Sequence, residues 1–273
     1  MTLPLLGAAL TLDSLEGLGP WIREGGGRAL EIQDFVAPGV IAGDCDAAID
    51  AWRAALDGHD GPRGIHGPFF GLDISSPDRD IRAVVQRRLL RGIEIAEALG
   101  ATHMVVHSPF TCWHALNYAN YERLRDDLFE ASADCLGPVL ARAADAGCTV
   151  MLENIDDADP RDRTDLVAGI DHPNLMVSLD TGHAELAHGR YGAPPVVDFV
   201  TASAGRIGHV HLQDADGYAD RHWHPGEGRL PWAPIFAALA EVAPAARLIL
   251  EVKDRHRLLP ETVRRLERLG LAS

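Results

Sequence analysis

The sequence predicts a single (β/α)₈ barrel over residues 1–273. Three observations predict it: eight short β-rich runs along the chain, helical signals between them, and an acid or histidine closing six of the runs. A length of 273 residues suits one barrel of roughly 250 residues or two smaller domains. No linker or low-complexity segment divides the chain, which favours one.

The eight runs are 6–10, 29–32, 64–66, 103–107, 149–153, 175–180, 207–212 and 248–252. Between the third and fourth, Ser76, Pro77 as first helical residue, and Asp78 and Asp80 in the first turn open a helix. Ile81, Val84, Val85, Leu89, Ile93 and Ala96 continue it at helical spacing, and Gly100 is placed to end it. The same grammar recurs over 121–146 with Gly147 as the stop, and over 260–269 with Gly270. Strand alternating with helix implies parallel pairing through crossovers, and eight units imply closure. An open doubly wound sheet is the alternative. It calls for a Gly-x-Gly-x-x-Gly turn after an early strand, whereas Gly25-Gly26-Gly27 precedes its strand.

Hydrophobic residues at 47% and charged residues at 24% supply a large core and argue against disorder. No apolar run approaches the ~20 residues of a membrane span, and residues 1–7 lack the features of a signal peptide, so a cytoplasmic location is expected. Cys45, Cys112, Cys135 and Cys148 are widely spaced without a Cys-x-x-Cys pair, which reads as small buried hydrophobes. A net charge of −15 repels a polyanion unless bound cations reverse it locally, which weighs against nucleic acid.

The polar residues fall in a pattern. His66, His107, Glu153, Asp180, His211 and Glu251 each close an otherwise apolar run, at the strand ends where barrel active sites are built. A buried carboxylate needs a partner or a metal. Three of them converging with histidines, with few basic residues nearby and the nearest in sequence, Lys253, able to pair with only one, favour a metal over an ion-pair network. His209 shares its strand face with His211 and, like His103, reads as a hydrogen-bonded residue deeper in the barrel. His183 follows Asp180 by three residues and reaches the site if the loop turns as a helix start. Asp220 and His222 form an Asp-x-His pair before a glycine-flanked turn. His59, His114, His172, His188 and His256 read as loop or surface residues. Oxygen and imidazole donors without thiolate suit Zn, Mn, Co, Fe or Mg.

These residues resemble the xylose isomerase-like barrel superfamily, which joins sugar isomerases and epimerases with AP endonucleases of the endonuclease IV type. The likeness runs through His66-Gly67-Pro68, Val106-His107-Ser108-Pro109, Leu152-Glu153-Asn154, Leu179-Asp180-Thr181-Gly182-His183 and His209-Val210-His211-Leu212-Gln213-Asp214. It ends with Asp220-Arg221-His222, Pro225-Gly226-Glu227-Gly228 and Leu250-Glu251. It implies that Glu153, Asp180, His211 and Glu251 match the four ligands of the single metal in ketose epimerases. His66, His107, His183, Asp220 and His222 match the further ligands of a three-zinc cluster in the endonucleases, so one to three metals are implied. Two departures point away from the DNA enzymes. Residues 34–40 carry no Lys or Arg where those enzymes use a basic loop, and Phe69-Phe70 stands where they typically present tyrosine. Arg229-Leu230-Pro231-Trp232 is similar to the corresponding stretch in ketose 3-epimerases.

The resemblance therefore implies a metal-dependent isomerase or epimerase of a small sugar or sugar-like polyol, with Glu153 and Glu251 as base and acid on opposite sides of the substrate and an enediolate between them. Trp113 and Trp223 are candidate apolar walls for the substrate. Two alternatives are a metal-dependent phosphodiesterase of the AP endonuclease type and a dehydratase or lyase on a keto-polyol. A small carbohydrate is the expected partner, a membrane is not, and a homo-oligomer fits the reading equally well.

Overall fold

The structure is a computed structural model that describes residues 3–273; the first two positions of the domain expected over 1–273 lie outside the described residues. Eight parallel strands close into a barrel in chain order: β1 (Gly7–Leu10), β2 (Leu30–Ile32), β3 (Arg63–His66), β4 (His103–His107), β5 (Thr149–Glu153), β6 (Leu175–Asp180), β7 (Ile207–Leu212) and β8 (Arg247–Leu250), with β8 pairing back onto β1. The eight expected runs are these eight strands: β4 to β7 match residue for residue, β1 to β3 to within a residue, and β8 ends two residues earlier than expected, so that Glu251 follows it.

The helices around the barrel are α1 (Gly19–Ile22), α2 (Pro38–Ala42), α3 (Asp46–Ala55), α4 (Arg79–Ala98), α5 (Cys112–Asn117), α6 (Leu124–Asp145), α7 (Pro160–Ile170), α8 (Thr181–Tyr191), α9 (Val196–Ala202), α10 (Trp232–Val242) and α11 (Leu259–Arg268). The longer helices bury an apolar stripe on the barrel; in α4 it is Val85, Leu89, Ile93 and Ala96. The helix begins later than the sequence suggests. Asp78 is its N-cap rather than a residue of its first turn, because its carboxylate accepts from the backbone N–H of Asp80 at 2.8 Å and Ile81 at 3.3 Å. The 121–146 helix likewise starts at Leu124.

Register places the strand-end residues on one level. His107 pairs with Glu153, Glu153 with Ser178, and Asp180 with His211. Parallel strands tilted around a closed ring thus bring residues far apart in the chain into lateral contact. Among the described residues, no helix is long and apolar enough to cross a membrane.

Candidate metal centre and active site

A cavity of about 560 Å³ opens at the C-terminal mouth of the barrel. His66, His107, Glu153, His183, Asp220, His222 and Glu251 line it, and Asp180 and His211 lie directly beneath, fully buried. Glu153, Asp180, His211 and Glu251 each present a ligand atom, all within 4.8 Å of one another. His66, His107 and Glu153 form a second such set, and His183, Asp220 and His222 a third. The structure therefore brings together every metal or base candidate that the sequence singled out.

Local structure explains each placement. Asp180 closes β6 and is the N-cap of α8, its Oδ1 accepting from the His183 N–H at 2.6 Å, so the helix start delivers His183 to the site. The His183 Nδ1–H donates to the Asn154 carbonyl at 3.0 Å, leaving Nε2 3.4 Å from Asp220 Oδ1. His66 works alike: its Nδ1–H donates to the Gly67 carbonyl at 2.9 Å and its Nε2 lies 3.6 Å from Glu153 Oε2. Asp214 anchors the loop that carries Asp220 and His222. Its carboxylate accepts from Gly226 N at 2.7 Å, Leu230 N at 3.1 Å and Trp232 Nε1 at 2.9 Å. The Gln213 amide holds the same loop from below, donating to Asp220 Oδ1 at 3.2 Å and accepting from His222 N at 2.9 Å.

Glu31, on β2, is the main residue that sequence reading missed. It points across the barrel, where its Oε1 accepts from His211 Nε2 at 2.9 Å and its Oε2 lies 3.0 Å from His209 Nε2. A hydrogen bond to Nε2 fixes the His211 tautomer so that Nδ1 faces Glu153 and, at 3.3 Å, Glu251. His209 takes the deeper role expected of it, bonded through Nδ1 to Ser178 Oγ at 2.9 Å. The signal was a lone charge between Leu30 and Ile32 in a core strand. Gln33 was missed too; its Nε2 donates to Glu251 Oε1 at 2.6 Å.

Electrostatics follow from burial opposed by pairing. Burial alone would raise the Glu153 carboxyl, but His211 and His66 hold it well below the usual range. Glu31 is lowered in the same way by His211 and His209. Asp180 goes the other way, to about 6, because burial and the Glu153 charge outweigh His183. Burial would lower His183 and His211, yet the surrounding carboxylates raise both well above the ordinary value. His107 falls to about 3 through burial and the charge of His66. A further basic residue lies beneath the acids. Arg163 is completely buried, with Nη1 donating to Asn154 Oδ1 at 2.7 Å, where it orients the amide that bonds both to the Asp180 backbone N–H and to the Asp180 carbonyl.

The residues fit a cation. Glu153 Oε2 and Asp180 Oδ2 are buried and lack any hydrogen-bond partner. A buried oxygen left unsatisfied costs about 1–3 kcal/mol, more when charged. One divalent ion among four oxygen and nitrogen donors satisfies both, and the donor set suits Zn, Mn, Co, Fe or Mg.

Four residues stand otherwise than the sequence suggests. Trp113 lies on α5 rather than in a loop, 51% exposed and packed beside Tyr121 with ring centroids 5.8 Å apart; the capping box of Thr111 and His114 builds that helix. Trp223 sits under the Arg221 guanidinium at 5.3 Å. Neither lines the cavity, whose aromatic wall is Phe69, stacked on His107 at 4.2 Å. His59 is buried, 1% exposed, with Nε2 2.9 Å from the Arg28 carbonyl, and His256 lines the cavity.

Comparison with known proteins agrees with this architecture. A family model described as "Xylose isomerase-like TIM barrel" matches residues 21–269. The chain belongs to the xylose isomerase-like TIM barrel family. Among curated relatives, it is 24% identical over 192 residues to the D-psicose 3-epimerase of Ruminiclostridium cellulolyticum, covering 68% of this chain and 61% of that one. It is 27% identical over 198 residues to the protein MJ1311 of Methanocaldococcus jannaschii, covering 70% and 64%. The chain thus spans less than two thirds of the length of these relatives. Among solved structures, the TTHB071 protein from Thermus thermophilus, soaked with ZnCl2, superposes with a TM-score of 0.72 at 26% identity, covering 97% of this chain and 98% of that one. A D-tagatose 3-epimerase-like protein superposes at 0.73 with 22% identity, covering 97% and 100%, a likeness of fold.

Proposed function

We propose that this chain is a divalent-metal-dependent isomerase or epimerase of a small sugar or sugar-like polyol. The observation that carries the reading is the meeting of Glu153, Asp180, His211 and Glu251, from the ends of four successive strands, within 4.8 Å in an open cavity. The D-psicose 3-epimerase relative and the tagatose 3-epimerase-like fold support the substrate class.

Glu153, Asp180, His211 and Glu251 would hold the ion. When bound, it supplies a Lewis acid that polarises a substrate carbonyl and acidifies the neighbouring C–H bond. The chain's residues do the rest. Glu153, the last residue of β5, and Glu251, the residue after β8, would take the proton from one face of the carbon and return it to the other through an enediolate. Gln33 keeps Glu251 in one orientation. Phe69 excludes water from one wall.

The test is a panel of ketoses and aldoses in deuterated water, assayed with the protein as purified, after chelation, and after adding back Zn, Mn, Co, Fe or Mg singly. Deuterium at a single carbon, lost on chelation and restored by one ion, is expected. Metal-independent turnover would sink the reading. Product analysis separates a dehydratase, which releases water. The pH dependence has a definite sign. Asp180 must be ionised and His211 neutral to hold a cation, so affinity measured by calorimetry should rise with pH through about 6 and go on rising until His211, raised well above its ordinary value, loses its proton; metal should leave as pH falls.

A second reading has one observation in its favour: two of the three further histidine-carboxylate sets, His66–His107–Glu153 and His183–Asp220–His222, open on the same cavity as the first. A phosphodiesterase with three ions would use them. About three zinc ions per chain with cleavage of abasic duplex would establish it, and the acidic net charge and the Phe69 wall weigh against it.

A further inference from the structure

Among the 25 Lys and Arg residues of the chain, Lys253 is the single lysine. It lies two residues beyond Glu251, and among the described residues it is the one Lys or Arg that lines the cavity. The neighbouring arginines are engaged elsewhere. Arg255 pairs with Glu227 at 2.6 Å and Asp254 at 2.9 Å, Arg221 with Asp216 at 2.8 Å, and Arg229 with Glu185 at 2.5 Å. No carboxylate of the described residues lies within ion-pair distance of Lys253, although Asp220 and Glu251 line the same cavity.

The segment that carries Lys253 is fixed. Val252 is buried, and the Lys253 backbone N–H donates to the His222 carbonyl at 3.0 Å. Arg255 then adopts φ 53°, a left-handed conformation uncommon for a residue with a Cβ. That bend returns His256 to the cavity wall. An ammonium without a carboxylate partner and an imidazole therefore share the rim of an otherwise acidic cavity. A solvated lysine explains the exposure of Lys253. It does not explain why the chain's one lysine stands here, while arginine serves every other basic position.

We propose that Lys253, with His256, binds an anionic group at one end of the substrate, a carboxylate or a phosphate, while the reacting carbon lies by Glu153 and Glu251. The inference rests on the isomerase reading and narrows it to acidic or phosphorylated sugars. In a chain of net charge −15, a local cation is what lets an anion dock. Lysine suits the task, being a point charge on a flexible stem that meets carboxylate and phosphate alike.

The test is calorimetric binding to the metal-loaded protein of a matched trio: fructose, fructose 6-phosphate and the corresponding 6-carboxylate, fructuronate. Binding at least about tenfold tighter for one charged member is expected, the scale of one charge-assisted hydrogen bond. Preference for the phosphate or for the carboxylate identifies the source of the anion. In K253A that preference collapses, and in K253R it partly returns. Equal affinity of wild type for all three, or a preference that K253A retains, overturns the proposal. Turnover of the same trio reports separately on the isomerase reading. Charged-sugar binding without turnover sustains the anion site and sinks the reaction, and turnover with equal affinities does the reverse.

Discussion

Replacing Glu153 or Glu251 with Gln is expected to slow proton exchange at the substrate carbon by about 10²- to 10⁴-fold, the range that positioned acid or base groups contribute. Glutamine keeps the volume and one oxygen, so the fold should survive. The two variants should differ in a second measurement. Glu153 bonds to His211 and its unpartnered Oε2 lies between His66 and His107, so E153Q should also weaken metal binding strongly. Glu251 is held by Gln33 at the edge of the cavity and is less enclosed, 9% exposed. E251Q should therefore retain more of the metal while losing exchange. If either variant exchanges the proton at the wild-type rate, that residue has no part in the chemistry.

Glu31 carries the largest expected effect on stability. Its carboxylate is buried against two histidines, and removing one partner of a buried charged set costs about 3–5 kcal/mol. E31A should lower the urea unfolding free energy by that amount and weaken metal binding about 10- to 100-fold, because His211 loses the bond that fixes its orientation. The folded carboxyl lies far below its ordinary value, so its contribution is present at neutral pH and is lost only as pH falls into strong acid. E31Q separates the two effects. It restores much of the packing but leaves the histidines facing a neutral amide, so stability should recover further than metal affinity. Equal affinity in E31A and wild type would mean that His211 needs no support from Glu31.

The barrel was legible because its strands are short apolar runs with polar ends, a pattern that stands out against amphipathic helices. β5, β6 and β7 read residue for residue, since burial on both faces leaves the terminal Glu153, Asp180 and Leu212 as sharp boundaries. Glu31 escaped because it lies inside its strand, and an acid within a three-residue run resembles a break in the pattern. Its partners are on β7, and no spacing rule connects positions 31 and 211. His256 escaped for a related reason: the left-handed turn at Arg255 that returns it to the cavity has no Gly or Asn to announce it. For Trp113 and Trp223, a place between strand and helix in the sequence says that a side chain is near the mouth but not which way it turns. Trp113 found Tyr121, Trp223 found Arg221, and the wall fell to Phe69, which the sequence had suggested only as a departure from a tyrosine.

The metal centre can be seen outright in crystals of the protein soaked with one divalent ion, with data collected on both sides of that ion's absorption edge. An anomalous peak bonded to Glu153, Asp180, His211 and Glu251 is expected, with Glu31 still on His211 Nε2. A fully soaked crystal with no peak among those four side chains, or with the ion held only by surface carboxylates, would contradict it.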